Sequence, residues 1–301
     1  MGGIFDQEIE ILLQKGVDCT VCVVPGADQI DGDMGSRRGL KEYLQFWPRV
    51  RRELHRREHD LVHANYGLTA PYAVSQSRLP VVLTLWGSDV VGMDGLVTKA
   101  CAWRADAVTV RSEEMRELLG RKNAHIVPSG VDLDRFRSTD RTTARERVGW
   151  DPGGTHVLFP YAPGYERKNY SLAKHVVARA EQELGRAITL QTISGVAHHE
   201  MPDFYNASDC LLLTSKYEGS PNTVKEAMAC NVPVVSTAVG DVQERLDGVS
   251  PGGVGSGIEQ LSRLLVSVVE SGERSNGREV VRELSWEQIG NRFLGIYRSV
   301  V

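Results

Sequence analysis

The chain has 301 residues, a hydrophobic share of 41% and a formal net charge of −4. That length suits two domains, and that apolar share is ample for two packed cores. The charge balance gives no overall pull toward nucleic acid, and no apolar run approaches the roughly 20 residues a membrane-spanning helix needs.

The opening Met1-Gly2-Gly3-Ile4-Phe5-Asp6-Gln7 has no basic region followed by an apolar core, so it does not read as a signal peptide. Residues 7–15 read as a helix and 21–24 as a strand. Cys19 and Cys22 have C-x-x-C spacing, but positions three apart on a strand face opposite sides, which disfavours a metal or redox pair. The five cysteines are odd in number and scattered, which fits a reducing cytosol. A helical run covers 40–58, interrupted at Pro48. Arg49, Arg51, Arg52, Arg56 and Arg57 crowd it, just after Phe46 and Trp47. Such a helix can dock on anionic lipid, yet Glu53, Glu58 and Asp60 dilute the charge and favour a solvated face. Strands follow at 61–64, 81–85, 107–110 and 125–128, with a helix at 113–119.

The charged stretch 138–151 lacks apolar periodicity and reads as a junction. Beyond it, strands at 157–160, 189–194, 210–214 and 232–236 alternate with helices at 171–184, 201–206, 222–230 and 258–271. Strand–helix alternation argues parallel α/β sheets, and its arrival in two blocks argues two Rossmann-like domains. The expected boundaries are 1–145 for the first domain, 146–284 for the second and 285–301 for a closing helix.

Ligands of such sheets bind beyond the carboxyl ends of the strands. The segment Tyr217-Glu218-Gly219-Ser220-Pro221-Asn222-Thr223-Val224-Lys225-Glu226 leaves such an end, turns and opens a helix. Ser220 suits an N-cap and Pro221 the first helical position. The free amides of Asn222 and Thr223 would then form an anion seat at the helix N-terminus. Glu218 and Glu226 flank that seat, and carboxylates accept hydrogen bonds from sugar hydroxyls. A sugar joined to a phosphate would satisfy both parts. Two rivals are a glycosidase-like carboxylate pair, which has no need of the anion seat, and a plain core helix with Glu226 exposed. Arg167 and Lys168 follow the first strand of the second block, and two adjacent loop cations suit a diphosphate.

Other motifs carry less. Asp31-Gly32-Asp33 and Asp132-Leu133-Asp134 have D-x-D form, too short to specify a metal. Gly253-Val254-Gly255-Ser256-Gly257 has the wrong spacing for a dinucleotide loop and reads as a plain loop. His198 and His199 are adjacent with no ligand spacing after them, which disfavours zinc.

Together these residues resemble a retaining GT-B glycosyltransferase of family 4, also called group 1. Glu218 and Glu226 form an E-x7-E motif, and the likeness continues through Ala227-Met228-Ala229-Cys230-Asn231-Val232-Pro233-Val234-Val235-Ser236. The segments 201–209, 60–65, 86–90, 130–136 and 285–287 are similar to family landmarks in the right order. The resemblance implies two Rossmann-like domains facing across a cleft. It implies transfer of a sugar from a nucleotide-diphosphate sugar with retained configuration, no metal and no cofactor. Glu226 would bind the ribose and Glu218 the donor sugar. Gly219, Ser220, Pro221, Asn222, Thr223 and Gly195 would hold the donor, with Lys168 and Arg167 on the diphosphate. Gly2, Gly3, His63, Trp86, Gly87 and Asp89 would line the N-terminal side of the cleft.

Three features depart from the pattern. The chain starts at the glycine loop that usually follows a first strand, so the N-terminal domain is expected to lack that central strand. Trp86 stands where relatives often have His. Arg167 abuts Lys168, where relatives separate the two. The leading expectation is a cytosolic glycosyltransferase, with a peripheral contact at the inner face of a membrane as an option and a glycan or glycolipid as acceptor. The alternatives are a truncated, non-catalytic nucleotide-sugar-binding protein and an epimerase or phosphorylase on the same architecture.

Overall fold

A computed structural model describes residues 4–25, 40–56, 58–87, 89–90 and 93–301. The expected sites at Gly2, Gly3, Asp31 and Asp33, and the residues Ser88 and Arg57, lie outside that set. Two compact units emerge, one of 5–110, 115–127 and 290–301, the other of 1–4, 111–114 and 128–289. Each is an α/β layer structure with a parallel sheet.

In the N-terminal unit the strands are β1 (Val62–Ala64), β2 (Val81–Thr84), β3 (Ala107–Val110) and β4 (His125–Ile126), paired in parallel in that order. Every residue of β2 and β3 is buried, as expected for strands covered on both faces. The helices are α1 (Ile4–Gln14), α2 (Leu40–Arg56), α3 (Ala70–Val74), α4 (Met93–Arg104) and α5 (Glu113–Leu119). Two expectations fail here. Residues 21–24 form no strand: Val21 and Val23 are exposed, and only Val24 packs, against Phe46 and Val50 of α2. Among the described residues β1 is a sheet edge, and this run packs on α2 rather than pairing with it. Helix α2 also runs unbroken through Pro48, because Phe46 and Val50 with Tyr43 and Leu54 keep one apolar face against Val24 and Tyr72. That burial outweighs the single backbone bond a proline removes.

In the C-terminal unit α6 (Arg141–Val148) precedes five parallel strands, β5 (His156–Phe159), β6 (Thr189–Thr192), β7 (Cys210–Leu213), β8 (Val234–Thr237) and β9 (Gly252–Gly255). Their spatial order is β6-β5-β7-β8-β9. The intervening helices are α7 (Tyr170–Leu184), α8 (Met201–Ala207), α9 (Asn222–Ala229) and α10 (Val242–Arg245), and α11 (Gly257–Ser271), α12 (Gly277–Val281) and α13 (Trp286–Val300) follow. The stretch expected as a junction is helix α6. Asp140 caps it by accepting from the Thr143 amide at 2.8 Å, and Arg141 and Arg145 each reach Asp209 at 2.7 Å. Ion pairs rather than an apolar face hold it, which is why periodicity missed it. The glycine run expected as a loop is strand β9. Gly252 has φ +131, and a Cβ there would meet the Val234 carbonyl oxygen at 2.5 Å, so only glycine lets this strand approach β8.

The strand order reverses between β5 and β7. In open α/β sheets the crevice outside the carboxyl ends at such a switch point is where ligands bind.

Candidate nucleotide-sugar site

The loops leaving β5 and β7 bring the expected charges together. Arg167 and Lys168 sit on a short 3-10 turn, Glu166–Lys168, and Glu218 comes from the turn before α9. Lys168 Nζ donates to Glu218 Oε1 at 2.6 Å, and Arg167 Nη1 lies 3.4 Å from Glu218 Oε2. Lys168 also stands 3.8 Å above the Tyr161 ring. Burial pulls the Lys168 ammonium below the usual lysine range, with Glu218 opposing. Arg167 rests between the Tyr165 and Tyr217 rings, at 5.2 and 5.5 Å, and donates to the Tyr165 hydroxyl at 3.0 Å. The two cations thus share one carboxylate, Glu218.

The seat itself differs from expectation by one residue. Pro221 is the N-cap, with no side-chain cap bond, and Asn222 is the first helical residue. The Ser220 hydroxyl caps no helix amide and donates to Asp241 Oδ2 at 2.7 Å. Among the described residues no side chain caps the first turn of α9, and its dipole favours an anion. Gly240, at φ +54, packs against this turn so closely that a Cβ would meet the Gly219 oxygen at 2.3 Å. The Asp241 amide then donates to that same oxygen at 3.2 Å. Thr223 places its hydroxyl 2.8 Å from that of Tyr161.

Glu226 is buried, which removes the reading of an exposed helix acid. Tyr205 donates to its Oε2 at 2.7 Å and His198 Nε2 lies 2.8 Å from its Oε1. The hydrogen bond to Glu226 raises the His198 pKa against the opposing effect of burial. Gly195, at φ +74, belongs to the same loop after β6 that carries His198. Asp132 accepts from the amides of Asp134 and Arg135 at 3.1 and 2.9 Å, so that D-x-D organises its own turn.

The expected N-terminal residues form a different arrangement within their own unit. His63 Nδ1 is 2.7 Å from the Tyr297 hydroxyl and Nε2 is 2.7 Å from that of Thr84. The Trp86 indole donates to Asn65 Oδ1 at 2.9 Å. Asp89 is buried and accepts from the amides of Trp86 and Gly87 at 2.9 Å and of Gly67 at 3.0 Å. Gly87 has φ +115.

Sequence reading missed Tyr161, His198 as a partner of Glu226, Tyr205, Lys225 and Asp241. One signal could have found three of them. Tyr161, His198 and Asp241 lie just beyond the carboxyl ends of β5, β6 and β8, where a parallel sheet presents its ligand-facing groups.

Residues 9–135 match the family described as Glycosyltransferase Family 4, and residues 165–266 match that described as Glycosyl transferases group 1. The putative teichuronic acid biosynthesis glycosyltransferase TuaC of Bacillus subtilis is 28% identical over 61% of this chain and 54% of its own length. The D-inositol 3-phosphate glycosyltransferase of Xylanimonas cellulosilytica is 26% identical over 82% of this chain and 74% of its own. Matches of this kind span between about half and three quarters of those relatives. The structure of Anabaena HepE in complex with UDP and glucose shares the fold, with a TM-score of 0.69 and 17% identity over 87% of this chain and 83% of that one.

Proposed function

This chain belongs to the group 1, family 4 glycosyltransferases of GT-B fold, and from that premise we propose that it transfers a sugar from a nucleotide-diphosphate sugar to an acceptor hydroxyl with retention. The observation that carries the reading is the convergence of Lys168, Arg167 and Glu218 beside the uncapped N-terminus of α9 at the switch point of the sheet. The cations and helix dipole suit a diphosphate that gains negative charge as the glycosidic bond breaks. They supply positive charge from the chain itself, so the reading needs no metal and no cofactor.

The donor's diphosphate would draw Lys168 and Arg167 away from Glu218, leaving that carboxylate to accept from sugar hydroxyls. Glu226, oriented by Tyr205, would take the ribose hydroxyls. Gly195 and the 219–223 turn would close on the nucleotide. HepE, by its description, binds UDP and UDP-glucose, which supports a nucleotide sugar as donor. The names of TuaC and of a lipopolysaccharide core mannosyltransferase of Rhizobium meliloti, 29% identical over 49% of this chain, support a surface-glycan or glycolipid acceptor. Such an acceptor suits work at the inner face of a membrane. No helix among the described residues is long and apolar enough to cross one.

The test is a thermal-shift panel of UDP-, GDP- and ADP-sugars, since a ligand that binds only the native state raises its stability. At least one should raise the midpoint, and Glu226→Ala should weaken that ligand by about tenfold or more while the protein stays folded. Unchanged affinity in that variant would remove Glu226 from the site. Labelled donor incubated with and without acceptor separates transfer from epimerisation and from binding alone.

A further inference from the structure

Beneath the anion seat lies a buried ion cluster that the reading above does not use. Lys225 is 1% exposed. Its Nζ donates to the Ser220 hydroxyl at 3.0 Å and to the Ser129 carbonyl at 2.9 Å. Ser220 in turn donates to Asp241 Oδ2 at 2.7 Å, and Asp241 is 2% exposed. Arg245 Nε approaches the same carboxylate oxygen at 3.3 Å, while Asp241 Oδ1 is buried with no hydrogen-bond partner among the described residues. A methionine would fill the volume of Lys225 with none of the desolvation cost of a charge.

We propose that Lys225 is a positioning residue for the donor diphosphate, holding the Gly219–Pro221 turn through Ser220 and placing a buried positive charge under the anion seat. The inference rests on the nucleotide-sugar reading above. Ser220 is the hinge of the device. It accepts from the ammonium and donates to Asp241, so turn, lysine and carboxylate form one connected unit. The backbone contact of Gly240 with Gly219 presses Asp241 against the same turn.

The charge state of this unit responds to what occupies the seat. Burial pulls the Lys225 ammonium down to about 7. Asp241 and Glu226 oppose that shift, and Arg111 and Arg245 reinforce it. An anion seated above the turn adds a further favourable partner for the cation and raises that value. Donor binding above neutral pH therefore takes up a proton at Nζ, and affinity declines as the pH rises.

The test titrates wild type, Lys225→Met and Ser220→Ala with UDP-glucose, GDP-mannose and ADP-glucose from pH 6 to pH 9, following with every variant whichever ligand binds wild type. The diphosphate of such a diester does not titrate in that window. At pH 6 Lys225→Met should bind about tenfold more weakly than wild type. The ratio should shrink by pH 9, where wild-type Lys225 is also neutral, to what the loss of its hydrogen bond to Ser220 alone costs. A ratio constant with pH, or of one throughout, overturns the inference, because a merely structural lysine predicts no such convergence. Calorimetry on wild type at pH 8.5 in two buffers of different ionisation enthalpy keeps the test open if the variants do not fold. Uptake of a fraction of a proton supports the inference, and none overturns it. If wild type binds none of the three sugars at any pH, the nucleotide-sugar reading itself has failed.

Discussion

The two units use the loops after their strands in different ways. In the C-terminal unit, Lys168 and Arg167 both pair with Glu218, and the N-cap residue of the helix beside them makes no side-chain cap bond among the described residues. In the N-terminal unit, His63, Trp86 and Asp89 bind groups of their own unit, and the Asp89 carboxylate is spent on three backbone amides. The first arrangement gathers two cations on one carboxylate. The second uses its polar groups to hold the loops of its own unit. A sequence motif cannot separate these uses, since both read as polar residues after a strand.

The largest effect that would sharpen this contrast is expected at Glu218. Glu218→Gln leaves the buried Lys168 without its counter-charge and turns one of the two carboxylate acceptors into an amide donor. Turnover at saturating nucleotide sugar should fall by about 10²- to 10³-fold, the range seen when one preorganised electrostatic partner is lost. A loss below tenfold would mean that the Lys168–Glu218 pair is a structural bridge, and the contrast between the units would collapse.

Asp89 should show the opposite signature. Asp89→Ala strips the acceptor from the amides of Gly67, Trp86 and Gly87 together. Leaving buried donors unpaired costs about 1–3 kcal/mol each, partly relieved by water entering the cavity. A net loss of about 2–4 kcal/mol in urea unfolding is expected, with nucleotide-sugar affinity unchanged. Weakened donor binding at full stability would show that this loop contacts the ligand directly.

Legibility in the sequence followed the same division. The buried strands β2, β3, β5 and β7 were readable because parallel strands covered on both faces are continuous apolar runs. The Glu218–Glu226 spacing was readable because a turn and a helix are local. What was hidden depends on partners distant in sequence. Residues 21–24 have strand-like composition, yet Val24 packs on α2 and the run joins no sheet among the described residues. Helix α6 is held by Asp209, more than sixty residues away. Ser220 reads as a helix cap, yet Asp241 claims its hydroxyl. Glu226 was legible as a hydroxyl acceptor, but Tyr205 and His198, which fix its two oxygens, come from another loop and helix.

The smallest expected effect concerns that last pair. His198 is 40% exposed at its side chain, and its pKa in the folded chain lies above the ordinary 6.5 because it donates to Glu226. A raised folded-state value means that the protonated form is favoured by folding. The stability it adds is fully present below the unfolded value and is lost as the pH rises through the folded one. Solvent screening at that exposure holds the contribution to under about 1 kcal/mol. Wild type should therefore lose a degree or two of melting temperature relative to His198→Asn between pH 6 and pH 8.5. A saturating nucleotide sugar should erase the difference, because ribose hydroxyls would then hold Glu226 in place of the imidazolium. If the difference persists with ligand bound, His198 stays on Glu226 in the complex, and the ribose is held by one carboxylate oxygen at most.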